Sequence, residues 1–158
     1  MSGALPRAIK AAGYDVRVIM PKYRVVNNRK FGLKNLTKSL AIPVGREIAV
    51  VSILEGELER GIPVYFIDYG PYFERQELYG TLKGGYEDNA ERFILFSRAV
   101  LETIEAIEFQ PNVIHCNDWQ TGLIPVYLKT LYKNDPFFQR MATVLTIHNI
   151  AYLSLIHI

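Results

Sequence analysis

Two strand-like runs that both end on polar residues, with a helical stretch between them, constrain this fold more than any other feature. One run, at 113–116, contains His115 and leads into Asn117, Asp118 and Trp119. The other, at 143–147, leads into His148 and Asn149. A helical pattern at 122–133 joins them, with Pro125 in its first turn, where proline is tolerated. Asp118 and His148 are 30 residues apart, the length of one strand–helix–strand unit. Such crossovers are right-handed, so both polar ends fall along one edge of a parallel sheet. With strands ~4.8 Å apart and room for one strand in between, the two Cα atoms are expected within roughly 15 Å. Ligands of open α/β sheets bind beyond the carboxyl ends of the strands. Asp118, Trp119, His148 and Asn149 are therefore the candidate site. A structural reading competes: Asp118 caps the helix that follows it, and His148 is a packing residue.

The rest of the chain fits the same class. Residues 4–12 read as a helix, with Leu5, Ile9 and Ala12 on one face and Gly13 as its stop. A short strand at 15–20 is closed by Pro21. Residues 22–35 are basic and irregular, with a turn at Asn27-Asn28. Runs at 36–44 and 47–54, split by Gly45-Arg46, predict a hairpin, and 62–68 predicts a further strand. Residues 69–87 hold four tyrosines, among them Tyr86, and read as one long loop. A helix is predicted over 89–108, with Asp88 as its N-cap. Its core face carries Ala90, Phe93, Ile94, Ser97, Val100, Leu101, Ile104 and Ile107; its outer face carries Glu91, Arg98, Glu102 and Glu105. Alternating helices and apolar strands predict an α/β fold, a Rossmann-like parallel sheet with flanking helices and a β-hairpin excursion. The chain begins with a helix, which suggests that a first strand is missing.

Composition excludes several alternatives. Of the 158 residues 49% are hydrophobic, enough for a buried core and against intrinsic disorder. Lys and Arg number 18 against 16 Asp and Glu, and a net charge of +2 argues for neither a nucleic-acid nor a membrane partner. The single cysteine excludes a disulfide framework. No apolar run reaches the ~18–20 residues of a membrane span, and the N-terminus lacks a secretory pattern. A soluble, cytoplasmic protein is expected. His115, Cys116, Asp118 and His148 are metal-ligand types, but adjacent strand residues point to opposite faces and no metal spacing occurs, so no metal is expected. A Cys116–His148 nucleophile pair is conceivable, although a thiol inside an apolar strand is usually inert. Phosphate-loop and dinucleotide glycine fingerprints are absent.

Five ordered motifs carry a resemblance. They are Gly3-Ala-Leu-Pro-Arg-Ala with Gly13-Tyr-Asp-Val-Arg-Val-Ile-Met-Pro-Lys-Tyr23; Tyr86-Glu-Asp-Asn89 with Arg92-Phe93; Pro111-Asn-Val-Ile-His-Cys-Asn-Asp-Trp119; Thr121-Gly122-Leu123; and Thr146-Ile-His-Asn-Ile-Ala-Tyr152. Together they resemble the bacterial glycogen synthase and plant starch synthase family over residues 2 to about 152. The resemblance implies the N-terminal, acceptor-side half of a two-domain GT-B glycosyltransferase. That enzyme moves glucose from ADP-glucose to the non-reducing end of an α-1,4-glucan, with retention and with no metal or other cofactor.

Matched by motif, Asp118 and His148 are the catalytic candidates, Asp118 toward the acceptor or transferred sugar and His148 toward the transferred glucose. Trp119, Asn149 and Tyr86 line the substrate site. The family's Lys-Thr-Gly-Gly-Leu loop before Gly3, and its Gln-Gly after Tyr152, do not match here. Residues 1–152 are therefore expected to be an incomplete catalytic domain whose C-terminal partner domain is missing, and 153–158 a non-family tail of artefactual origin. A non-catalytic glucan-binding module using Tyr86 and Trp119 as sugar platforms is the alternative.

Overall fold

A computed structural model describes residues 3–36, 39–59, 61–82 and 84–149. The 153–158 tail lies outside the described residues. Contacts divide the chain into two compact units, Met1–Ala41 with Ile48–Tyr86, and Ile42–Glu47 with Glu87–Ile158.

In the first unit, helix α1 (Ala4–Ala11) precedes strand β1 (Val18–Pro21). The strand ends on Pro21 and does not stop before it. Strands β2 (Lys34–Asn35), β3 (Leu40–Val44), β4 (Glu47–Leu58) and β5 (Ile62–Asp68) follow, with Ile42–Glu47, most of β3 and its turn, counted in the second unit. The sheet order is β1-β5-β4-β2, with β3 on β4. β1 and β5 are parallel, and β4 is antiparallel to β5, so the sheet is mixed and not wholly parallel. The predicted hairpin is present, with a shorter first strand and a longer second one. Its turn is at Gly45, whose φ of 60° favours glycine. β5 is buried along nearly its whole length, as its continuous apolar run requires of a central strand. Leu54, Val64 and Phe66 form a cluster with Val18, Met20, Val26 and Leu33. Gly56 permits this approach, because a Cβ there would come within 2.5 Å of Leu33 Cδ2. α1 buries none of its side chains, so the face carrying Leu5 and Ile9 contributes no core residue.

The long tyrosine loop is not featureless. It contains a one-turn helix α2 (Gly70–Phe73), started by Pro71, and a small ribbon of β6 (Gly80–Thr81) with β7 (Gly84–Gly85).

The second unit is built on α3 (Asn89–Ala106). The predicted stripe is buried at Phe93, Ser97, Val100, Leu101 and Ile104, but Arg92, Leu95, Phe96, Ala99 and Thr103 are buried too, while Ala90 is exposed. A helix covered on most sides is an interior helix, not a surface one. Asp88 occupies the N-cap position without a side-chain capping bond. Strand β8 (Val113–Asn117) leads through a 3₁₀ turn at Trp119–Thr121 into α4 (Leu123–Lys129), and β9 (Ala142–Thr146) closes the unit. α4 is shorter than the predicted 122–133. The Thr130 hydroxyl donates to Val126 O, and the Tyr132 N–H reaches Tyr127 O five residues back, which ends the helix. Tyr132 then turns inward, donates its hydroxyl to Glu102 and packs on Phe138, and burial raises its phenol's pKa.

Candidate active site

β8 and β9 are parallel and directly paired, in register from Val113↔Ala142 to Asn117↔Thr146. The two polar ends are thus nearest neighbours on one edge, with no strand between them. One further rung extends the ladder: the Asp118 N–H donates to Thr146 O at 2.8 Å. Beyond it the side chains meet. Asp118 Oδ1 accepts the His148 backbone N–H at 2.6 Å, and Asp118 Oδ2 lies 2.9 Å from His148 Nδ1. A carboxylate only accepts, so Nδ1 carries a proton toward Asp118, and a neutral ring in this geometry has its lone pair on Nε2. The two side chains are 31% and 28% exposed, within reach of a ligand from solvent.

Asp118 is also strained. Its φ of 59° and ψ of −175° lie in a region that glycine adopts and other residues avoid, at a cost of about 1–3 kcal/mol. Its carbonyl accepts the Thr121 hydroxyl at 3.1 Å, and that hydroxyl also lies 2.9 Å from Asn117 O. The carboxylate makes no capping bond to the following turn, so capping gives way to the Asp118–His148 pair. The strain has a measurable effect. Asp118→Ala and Asp118→Gly both remove the carboxylate, but only glycine relieves the backbone. Ordinarily alanine is the more stable by about 0.4–1 kcal/mol. Here thermal unfolding should place the glycine variant above the alanine one, by about 2–4 °C for a net gain of about 1 kcal/mol; the ordinary order would show that the conformation costs nothing.

The other sequence-predicted residues are placed as follows. Trp119 follows Asp118 and packs edge-on against Phe93, with ring centroids 4.8 Å apart. Asn149 follows His148 and is exposed. Tyr86 belongs to the first unit; its hydroxyl donates to Glu77 O, and the Arg75 guanidinium sits 4.6 Å over its ring. Sequence reasoning misses Thr121 and Thr146 as site residues, although a threonine three residues after a polar strand end is a recognisable back-bonding signal. His115 Nε2 lies 2.7 Å from the Thr146 hydroxyl, on the strand that presents Asp118.

Cys116 is 1% exposed, and burial pushes its thiol up to about 11. A thiolate is the nucleophilic form, so the Cys116–His148 hydrolase reading fails on both access and ionisation. A maleimide or disulfide reagent at about pH 8, below that raised value, should leave the folded chain unlabelled and modify it fully once urea opens it; rapid labelling of the folded chain would reopen that reading. Among the described residues no group of three or more His, Cys, Asp or Glu side chains could hold a metal ion.

A mixed α/β chain with an acid–histidine pair at the carboxyl ends of two parallel strands carries that pair where ligands of open α/β sheets bind. The chain belongs to the starch synthase catalytic domain family, which it matches over residues 1–157. It is 43% identical over 155 residues to a glycogen synthase of Syntrophotalea carbinolica, covering 98% of this chain and 32% of that protein. It is 46% identical over 153 residues to one of Koribacter versatilis, covering 97% and 31%. It spans about a third of the length of these curated relatives. Its fold is similar to the catalytic domain of starch synthase IV from Arabidopsis thaliana bound to ADP and acarbose, with a TM-score of 0.80 and 29% identity over 93% of this chain and 29% of that one.

Proposed function

We propose that this chain supplies the acceptor-side part of a retaining glucosyltransferase that moves glucose from ADP-glucose to the 4-OH at the non-reducing end of an α-1,4-glucan. The observation that carries the reading is the Asp118–His148 pair, in a chain belonging to the starch synthase catalytic domain family. In this reading residues 1–152 belong to the acceptor-side domain, and the nucleotide-sugar contacts come largely from outside this chain. His148 holds the transferred glucose through its outward ring nitrogen. Asp118 fixes that ring, and the remaining lone pairs of its carboxylate orient the acceptor hydroxyl. Trp119 and Asn149 line the sugar site, and Tyr86, on its own unit, is a further glucan contact in this reading. Positioning of this kind, rather than proton transfer by a strong base, supplies much of the rate. A cytoplasmic location accords with the reading. Among the described residues no helix is long and apolar enough to cross a membrane.

The test is incorporation of labelled glucose into glycogen by the full-length enzyme, with ADP-glucose and UDP-glucose in separate arms. Transfer from ADP-glucose is expected, and absence of transfer from either donor overturns the reading. The 158-residue chain by itself is expected to show no measurable transfer; turnover near ~1 per second, ordinary for an enzyme, would show that no further segment is needed. A glucan-binding module would instead bind maltooligosaccharides tightly and nucleotide sugar not at all.

A further inference from the structure

Asp118 holds a backbone conformation unfavourable to any residue but glycine, and a separate bond restrains each of its polar groups. The N–H is tied to Thr146 O, the carboxylate to the His148 N–H and ring, and the carbonyl to the Thr121 hydroxyl. Strained residues persist only where their surroundings over-determine them. Thr121 restrains the carbonyl twice, through its backbone N–H at 3.2 Å and through its hydroxyl at 3.1 Å. Thr121 bridges Asn117 O, the last residue of β8, and Asp118 O, the residue that leaves the strand. Without the hydroxyl the carbonyl keeps only the longer backbone bond of the turn, and Asp118 is freer to relax away from φ 59°.

We propose that Thr121 is a positioning residue: its hydroxyl holds the Asp118 backbone so that the carboxylate faces His148 and fixes the proton on Nδ1. In the proposed glucosyltransferase, on which the significance of this role rests, Thr121 would thereby set the ring nitrogen that meets the sugar. The plainer alternative is that Thr121 only fastens the start of the 3₁₀ turn, as threonine hydroxyls bonded three or four residues back commonly do.

The two roles separate in the imidazole ¹⁵N spectrum of the 158-residue chain at about pH 8, where an ordinary histidine is neutral, with the His148 signal assigned by its loss in His148→Gln. The wild type should show the form protonated on Nδ1. Thr121→Val, which keeps the shape and removes the hydroxyl, should move His148 toward the form protonated on Nε2, and Thr121→Ser should restore it. A folded valine variant that keeps the Nδ1 form overturns the proposal. Should the valine variant fail to fold, Asp118→Gly in the same chain decides. Glycine needs no restraint at this position, so it should rescue folding, and continued failure would mean that Thr121 serves the turn alone. A full-length enzyme that transfers no glucose would sink the functional reading and leave the tautomer result standing, so the two failures are distinguishable.

Discussion

Asp118→Asn in the full-length enzyme should lower turnover by about 100–1,000-fold while changing thermal stability and ADP-glucose binding little. Asparagine keeps the size and one acceptor oxygen, so it can still take the His148 backbone N–H that Asp118 Oδ1 accepts. It cannot serve Nδ1 in the same way. Its amide nitrogen donates, so the ring must turn over its proton, placing N–H on Nε2 where the aspartate leaves a lone pair. The charge that would offset developing positive charge on the sugar is lost as well. As a helix cap asparagine equals aspartate, so a folded variant that keeps most of its turnover would reduce Asp118 to a structural residue. Steady-state kinetics, with unfolding as control, makes the measurement.

Arg92→Ala should damage folding more than any substitution at the sheet edge. Arg92 is fully buried on α3; its Nη1 donates to Asn89 Oδ1 at 2.6 Å, and its guanidinium lies 5.3 Å over the Phe93 ring. Alanine opens a cavity the size of a long side chain and strips buried partners of their donor. Losses of this kind cost about 3–5 kcal/mol, a fall of roughly 10 °C or more for a chain of this length. Arg92→Met fills the volume and should recover a substantial part. Equal losses in the two variants would assign the whole effect to the lost donor, and a negligible loss in both would mean that the arginine reaches solvent.

The strand–helix–strand geometry is legible in the sequence because it depends on spacing and chirality, which are local rules. That Asp118 and His148 share an edge follows from them. Their direct pairing, with no intervening strand, does not, because spacing alone leaves strand order open. The strained backbone at Asp118 is also hidden, since nothing in Asn117-Asp118-Trp119 announces a positive φ at a non-glycine residue, and the parts of Thr121 and Thr146 follow from that conformation. Periodicity makes α3 look half-exposed because Arg92 and Thr103 are polar and fall outside the predicted stripe. Both are buried. The family motifs carry further than the periodicity does. They single out Arg92-Phe93, of which the fold seals one in the interior and sets the other against Trp119.

The interior position of Cys116 has a practical consequence. It is the chain's one cysteine, and it is closed to solvent. A second cysteine introduced at an exposed position, such as Asn149→Cys beside His148, would be the only thiol a dye could reach in the folded chain. Fluorescence from that dye would then test whether sugar reaches the sheet edge without first stripping the native thiol from the core, and without the cavity that its removal would leave.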